Sequence, residues 1–217
     1  MINSEIKAKV LSAVIIPNLD RYIIDALDIK PNKRSIGIIT ADSDDVTYAA
    51  LDEATKKADV EVVYAESNYA GSKNASTKLA GEIIGIIAGP DPAEVRAGLD
   101  ACVSYIENDA FFISANEDDS IVYFAHCISR TGSYLSNVAG IKEGEALAYL
   151  IAPPLESIYG LDAALKAADV RLAAFYAPPS RTNFGGGLLT GSQSACNAAC
   201  NAFAEAVMYI ANNPTKY

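Results

Sequence analysis

The sequence predicts an α/β protein of the α+β kind, built from two similar domains in tandem. The main observation is a ten-residue segment, 51–60, that recurs as 161–170, an offset of about half the chain. Self-similarity at such an offset indicates an internal duplication. The strands predicted around the two copies recur as well. We therefore expect domains at 1–109 and 110–217, each with an antiparallel-rich sheet flanked by helices.

The repeated segment is predicted to be helical in both halves. Its apolar residues recur at helical spacing. Asp52 with Lys56, and Asp162 with Lys166, form favourable pairs four positions apart. The two lysines are expected near the lateral edges of an assembly, although ordinary surface pairs explain the same spacing.

Strands surround each copy in the same order. For the first and second halves in turn, they are predicted at 35–40 and 146–151 before the helix, at 60–64 and 170–175 after it, and at 83–87 and 187–189 beyond a glycine-rich loop. A further strand, 10–16 or 120–126, precedes each unit and is followed by a helical linker, which is 19–27 in the first half.

Composition excludes two classes of partner. The chain carries 17 Lys and Arg against 27 Asp and Glu, for a net charge of −10, whereas nucleic-acid binding needs clustered basic side chains. No apolar run approaches the length of a membrane span, and the N-terminal residues lack the basic start and apolar region of a signal peptide. We expect a cytoplasmic protein without a membrane or nucleic-acid partner.

The four cysteines, Cys102, Cys127, Cys196 and Cys200, form no Cys-x-x-Cys motif. Cys196 and Cys200 share a helical face with small neighbours, so we interpret them as buried packing residues. A structural disulfide is not expected in a cytoplasmic protein.

An acidic cluster lies between a predicted strand end and a helix start. Asp42, Asp44 and Asp45 fit helix capping and the helix dipole. The same carboxylates also fit the cation-facing edge of a pore or pocket, and both interpretations stay open.

Two loops at equivalent places, 67–77 and 177–187, are rich in small residues. The glycines at 185–187 lack the Lys-Ser/Thr of a phosphate-binding loop. We therefore predict flexible hinges or gates in both loops.

The single histidine, His126, lies in a predicted strand. It has no nucleophile elbow beside it, so a catalytic relay is not favoured. It is either packed within the sheet or paired with a carboxylate as a zinc ligand.

The repeated unit resembles the bacterial microcompartment shell domain, whose helix carries the Asp-x-x-x-Lys-x-Ala-x-Val pattern that begins at Asp52. The element order looks circularly permuted. The segments 40–48, 129–136, 152–156 and 189–193 resemble the ethanolamine-utilisation branch of that family. The resemblance implies a structural protein of the microcompartment that is not an enzyme. It implies a pseudohexameric homotrimer that assembles with other shell proteins, with both loops lining a gated central pore.

The resemblance also implies ligands. It places ethanolamine at Asp44, Asp45, Glu82, Phe112, Thr182, Asn183 and Phe184. It pairs Glu156 with His126 for zinc, and it implies a pore wide enough for cobalamin or a nicotinamide nucleotide. It implies no catalytic residue.

A second function remains open from the residues themselves. Asp44, Asp45 and Glu82 with Phe112 form a set that suits an ammonium group through charge and a cation–π contact. The alternative is a small-molecule-binding regulatory protein or a metal-dependent enzyme acting on an amino alcohol. Oligomeric state and turnover discriminate the two.

Overall fold

The computed structural model describes residues 2–67, 83–178 and 184–215. It contains ten strands and six helices within these ranges. The strands are β1 (Glu5–Lys7), β2 (Val10–Ile16), β3 (Ser35–Ala41), β4 (Glu61–Ser67), β5 (Ile83–Gly89), β6 (Phe111–Ser114), β7 (Val122–Ile128), β8 (Ala146–Ala152), β9 (Val170–Tyr176) and β10 (Gly185–Gly191). The helices are α1 (Arg21–Ala26), α2 (Asp44–Lys57), α3 (Pro92–Asn108), α4 (Ser133–Ala139), α5 (Pro154–Ala167) and α6 (Gln193–Asn212).

The chain forms two compact units, and neither is one continuous stretch. Unit 1 comprises Met1–Lys7, Phe111–Thr131 and Ser136–Tyr217, and unit 2 comprises Ala8–Ala110 and Gly132–Leu135. These units are defined by contacts in space, whereas the predicted domains are defined by the repeat in the sequence. The boundary of the duplication between residues 109 and 110 stays a prediction.

Unit 2 is built on a four-stranded antiparallel sheet in the order β2-β3-β5-β4. The apolar side chains of β3 serve both faces of this sheet. Ile36 packs in a cluster with Leu19 and Ile29 from the segments around α1. On the other face a Cβ at Gly37 would lie 2.8 Å from Leu99 Cγ of α3. Glycine is therefore needed there because α3 lies directly on the strand.

Unit 1 is built on a six-stranded sheet in the order β1-β6-β7-β8-β10-β9, and all of its pairings are antiparallel. Helices α5 and α6 pack together, and a Cβ at Gly160 would lie 2.7 Å from Phe203 Cδ2. Phe203 is fully buried in a core with Leu150 and Leu189 of the sheet. Removal of such a side chain typically costs about 3–5 kcal/mol.

The fold class is confirmed, since both units are antiparallel sheets flanked by helices. The strand predicted to precede each repeated unit is also present. It is β2 in the first half, as predicted, and β7 in the second, where it begins two residues later than expected. No helix in the described ranges is long and apolar enough to span a membrane.

Three details of the prediction were wrong. Gly185–Gly187 belong to β10 rather than to a loop, because they pair with residues 150–152 of β8. The helix expected to include residues up to 60 ends at Lys57, and Ala58 is already extended. The short strand β1, which pairs with β6, was not predicted.

Candidate functional site

The acidic cluster opens helix α2 in unit 2. The preceding strand β3 ends at Ala41, and Ser43 is the residue at the N-cap of the helix. Asp42 stays outside the helix, where its Oδ1 accepts the backbone N–H of Lys9 at 2.6 Å. Asp44 and Asp45 occupy the first turn, where the helix dipole favours negative charge.

Asp44 is a buried carboxylate with two defined donors. Its Oδ1 accepts the backbone N–H of Asp45, and its Oδ2 accepts the hydroxyl of Ser67, both at 2.8 Å. Ser67 is the last residue of β4, so the contact joins a strand end to the helix start. Burial raises the pKa of Asp44 from 3.8 to about 6, against the lowering effect of these hydrogen bonds.

The capping interpretation holds only in part. Ser43 makes no side-chain cap, and its hydroxyl is the one buried side-chain polar atom in the described ranges that has no hydrogen-bond partner. Its carbonyl instead accepts the hydroxyl of Thr47 at 2.6 Å. Asp45 is buried as well. The start of α2 thus holds two buried carboxylates and one unsatisfied hydroxyl.

Phe112 and Phe184 meet in unit 1. Their ring centroids are 6.1 Å apart, and Phe112 also lies 5.3 Å from Phe124. Phe112 is fully buried. The cation–π contact expected for Phe112 would therefore need a face of a ring that is buried within unit 1.

Three of the expected ethanolamine residues, Glu82, Thr182 and Asn183, lie outside the described residues. The same holds for most of the first predicted loop. The structure thus gives the surroundings of the acidic residues in unit 2 and of the aromatic residues in unit 1, each within its own unit.

The metal prediction rests on two residues of unit 1. The ring of His126 in β7 stacks on Phe124 at 5.3 Å and 18°, and His126 is opposite Tyr149 in the sheet register. Glu156 is in the first turn of α5. Over the residues that the structure describes, no group of three or more His, Cys, Asp or Glu side chains has the arrangement of a metal site. These two side chains would fill half of a tetrahedral zinc shell.

The cysteines are free and mostly buried, as expected for packing residues. Cys102, Cys196 and Cys200 are buried, and Cys127 is half-buried. Burial raises the pKa of Cys127 to about 11 and that of Cys102 to about 12. None of these thiols has the environment of a nucleophile.

The fold and its tandem organisation define the class of protein. The family model described as the BMC domain matches residues 35–116. The bacterial microcompartment shell protein EutL of Clostridium perfringens is 65% identical over 214 residues, which cover 99% of both chains. EutL of Escherichia coli K12 is 54% identical over 209 residues, or 96% of this chain and 95% of that one.

Solved structures agree with the sequence relatives. The crystal structure of the ethanolamine utilization protein EutL from Leptotrichia buccalis superposes with a TM-score of 0.96, at 68% identity, over the whole of both chains. The chain therefore belongs to the EutL family of bacterial microcompartment shell proteins. Its relatives are named as shell components, so the prediction of a structural protein rather than an enzyme is confirmed.

Proposed function

We propose that this chain is a tile of the microcompartment shell that assembles as a pseudohexameric homotrimer with a gated central pore. The observation that carries the proposal is the repeated segment within this chain. The chain is also similar over its full length to EutL shell proteins. Three chains with two similar domains each supply six similar domains, so a closed threefold ring imitates a sixfold tile. Such a tile then packs laterally with other shell proteins.

Sedimentation velocity and electron microscopy test this assembly. The expected species has about three times the 22.9 kDa mass of one chain, and particles should show threefold symmetry. At high concentration the particles should form flat layers. A stable monomer at micromolar concentration would refute the trimer.

The pore proposal concerns the two loops predicted at 67–77 and 177–187. Ser67 ends β4, and Gly185–Gly187 begin β10. The candidates for the pore lining are therefore the remaining parts of the two loops, 68–77 and 177–184. We propose that they switch between arrangements and admit a molecule as large as cobalamin or a nicotinamide nucleotide. Structures determined with and without such a ligand test this proposal. One unchanged loop conformation in both would contradict it.

We further propose that ethanolamine binds at the acidic start of α2. The support is the pair of buried carboxylates, Asp44 and Asp45, beside the unsatisfied hydroxyl of Ser43. An ammonium group would offset the cost of burying these charges. Glu82 and Phe112 join the ammonium end in this proposal. The segment of Thr182, Asn183 and Phe184 supplies amide and hydroxyl groups at the other end.

The ligand is small, so we expect a dissociation constant of roughly tens of micromolar to millimolar. Isothermal titration of the wild type with Asp45→Asn and Glu82→Gln tests the site. Both variants should bind at least tenfold more weakly. Asp100→Asn, which changes an exposed aspartate of α3, should bind like the wild type. Equal heats in all four proteins would remove the pocket from the proposal.

The enzyme alternative draws on the same acidic residues and is tested separately. Incubation with ethanolamine and divalent metals should give no product. Metal-dependent turnover by a monomer or dimer would favour the enzyme over the shell tile.

Zinc binding by His126 and Glu156 remains a proposal. Water or a neighbouring chain would have to complete the coordination, so the expected site is weak and open. Calorimetry with zinc should show binding to the wild type and lower affinity for His126→Ala. Unchanged affinity in that variant would exclude the assignment.

A further inference from the structure

One end of the unit 1 sheet carries a cavity of about 410 Å³, which we call the corner cavity. Strands β8 and β9 begin there and β10 ends there, because Gly191 is opposite Ala146 on one side and Val170 on the other. The cavity therefore lies against the ends of three neighbouring strands. Its lining residues are Glu145, Asp169, Val170, Arg171, Thr190 and Gly191.

Close contacts fix the wall of this cavity. The hydroxyl of Thr190 donates to the carbonyl of Ala146 at 2.8 Å, which ties β10 to the first residue of β8. A Cβ at Gly191 would lie 2.7 Å from the carbonyl oxygen of Asp169. The carbonyl group of Asp169 therefore lies directly against the end of β10, and glycine leaves room for it.

Unit 2 has the same corner, where β3 and β4 begin and β5 ends. Gly89 is opposite the first residue of β3, Ser35, just as Gly191 is opposite the first residue of β8. A Cβ at Gly89 would lie 3.4 Å from the carbonyl oxygen of Asp59. Asp59 and Asp169 also occupy the same place in the two repeated segments of the sequence. The two corners can therefore be compared residue by residue.

In unit 2 the side chain of Lys33 fills the corner. It is buried, and its Nζ donates to Oδ1 of Asp59 at 2.8 Å and to the carbonyl oxygen of the same residue at 3.1 Å. Oε1 of Glu61 lies 4.0 Å from the same nitrogen. The chain thus places an ammonium group and a carboxylate side by side at this corner, and Asp59 binds the ammonium through two oxygens.

Unit 1 has no lysine at this position. Counted back from the first residues of β3 and β8, Gly144 is the counterpart of Lys33, and Glu145 is the counterpart of Arg34. The carbonyl groups of Arg34 and Glu145 each accept a backbone N–H from the segment before α1 or α4, at 2.9 and 3.0 Å. Neither Gly144 nor Glu145 supplies an ammonium group. No other described residue has an atom within 4 Å of a Cβ at Gly144, so the space is open there.

The second charge is reversed between the two corners. Glu61 and Arg171 both come two residues after the repeated aspartate. Unit 1 therefore keeps the carboxylate and the carbonyl oxygen of Asp169, but has a guanidinium group in place of the Glu61 carboxylate. Compared with unit 2, the unit 1 corner is thus missing the ammonium group of Lys33 and the carboxylate of Glu61.

We propose that the corner cavity binds a small amino acid zwitterion whose ammonium and carboxylate groups take the places of those two. The ammonium lies between the carboxylate and the carbonyl oxygen of Asp169, as the Lys33 ammonium does at Asp59. The carboxylate accepts paired hydrogen bonds from the guanidinium of Arg171. The two groups are 4.0 Å apart in unit 2, which favours a ligand with a short carbon chain between them, such as β-alanine.

Charge and exposure set the expected strength of binding. The cavity carries the carboxylates of Glu145 and Asp169 against one guanidinium, so the excess negative charge repels an anion that lacks an ammonium group. An amine without a carboxylate brings a second cation beside Arg171 and leaves its guanidinium unpaired. Asp169 and Arg171 are exposed, and solvent screens both contacts. We therefore expect a dissociation constant in the millimolar range.

The corner cavity goes beyond the proposed function of the protein. It shares no residue with the proposed ethanolamine site, and it does not require the shell assembly. Ethanolamine carries an ammonium group but no anionic group for Arg171, so it should bind in the corner cavity less well than β-alanine does. Failure of either site therefore leaves the other unaffected.

Titration calorimetry with β-alanine tests the site in the full chain. The wild type should bind β-alanine, and Asp169→Asn and Arg171→Leu should each bind it about fivefold more weakly or worse. Asp100→Asn, at an exposed position of α3, and Asp45→Asn, in the proposed ethanolamine site, should both bind it like the wild type. Propionate, which lacks the ammonium group, should give no heat with any of these proteins.

Charge reversal at position 171 gives a sharper test. Arg171→Glu restores the carboxylate that Glu61 supplies in unit 2, so the selectivity of the cavity should reverse. The variant should bind ethylamine more tightly, and β-alanine more weakly, than the protein with Arg171 does. Both proteins in this comparison carry Asp45→Asn, which weakens amine binding at the proposed ethanolamine site.

Three results would overturn the corner site. They are unchanged selectivity in Arg171→Glu, equal affinities for β-alanine in the wild type, Asp169→Asn and Arg171→Leu, and no binding of β-alanine to the wild type, whether or not ethanolamine binds.

Discussion

Oδ1 of Asp52 accepts the backbone N–H of Leu135 at 2.8 Å, across 83 positions of sequence. The other oxygen accepts the N–H of Gly132, so one buried carboxylate satisfies two groups at the start of α4. Burial raises the pKa of Asp52, while the two hydrogen bonds and Lys56 lower it. The carboxylate fixes a segment from the second half of the sequence within unit 2.

Asp52→Ala should therefore destabilise the protein strongly. It leaves two buried N–H groups without an acceptor, at a cost of about 3 kcal/mol in the free energy of unfolding. Urea denaturation measures this change. Asp100→Ala, the same substitution at an exposed position of α3, should change the free energy by less than about 0.5 kcal/mol. Similar losses in both variants would contradict the role of the hydrogen bonds.

Two glycines with positive φ should differ sharply in their tolerance of alanine. Gly186 has a φ of +153°, and a Cβ there would collide with the carbonyl oxygen of Leu150 on β8. Gly186→Ala should prevent unit 1 from folding. Gly140 has a φ of +61° with nothing within 4 Å of a Cβ, so Gly140→Ala should cost about 1 kcal/mol through backbone strain alone. Soluble yield and urea denaturation compare them, and equal stability would contradict the close pairing of β8 with β10.

The cysteines should react slowly in the folded protein. Burial raises the pKa of the half-buried Cys127 to about 11, so little thiolate is present at pH 8. Titration with a disulfide reagent at pH 8 should label no thiol rapidly, and all four after denaturation. Cys127→Ser should remove any slow native phase. Rapid labelling of a thiol in the native wild type would show that the thiol lies in a more open environment.

The sequence predicted the elements well where local patterns are strong. Helices and strands with clear periodicity were found because their apolar residues recur at regular spacing. The glycines at 185–187 were misjudged, since their composition is typical of loops while their pairing with β8 depends on tertiary contacts. The three-residue strand β1 is too short to carry a period.

The candidate site was less accessible to sequence reasoning. The position of Asp44 at a helix start followed from the pattern around it. Its burial and its hydrogen bond to Ser67, 23 positions away, depend on where β4 ends beside α2. The unsatisfied hydroxyl of Ser43 likewise has no signal in the sequence, because serine at an N-cap normally caps its own helix.

The stability of the protein should depend on pH through the carboxyl group of Asp44. The pKa of its carboxyl is about 6 in the folded protein against 3.8 for the exposed group. The folded state thus holds this proton more tightly, so the contribution of Asp44 to stability is most favourable below about pH 4 and becomes less favourable as the pH rises through 6. Asp44→Asn lacks this titration. The free energy of unfolding of the variant relative to the wild type should therefore rise between pH 5 and pH 7.

Ethanolamine binding at the proposed pocket should show the opposite trend. The ammonium group favours the ionised carboxylate, so the affinity should fall about tenfold from pH 7 to pH 5 as Asp44 takes up its proton. Titration calorimetry at both values, in buffers of different ionisation enthalpy, measures the affinity and the proton released on binding. Asp44→Asn should bind more weakly and lose most of the pH dependence. If the dependence persists in that variant, another carboxylate such as Asp45 titrates in its place, and the assignment to Asp44 is wrong.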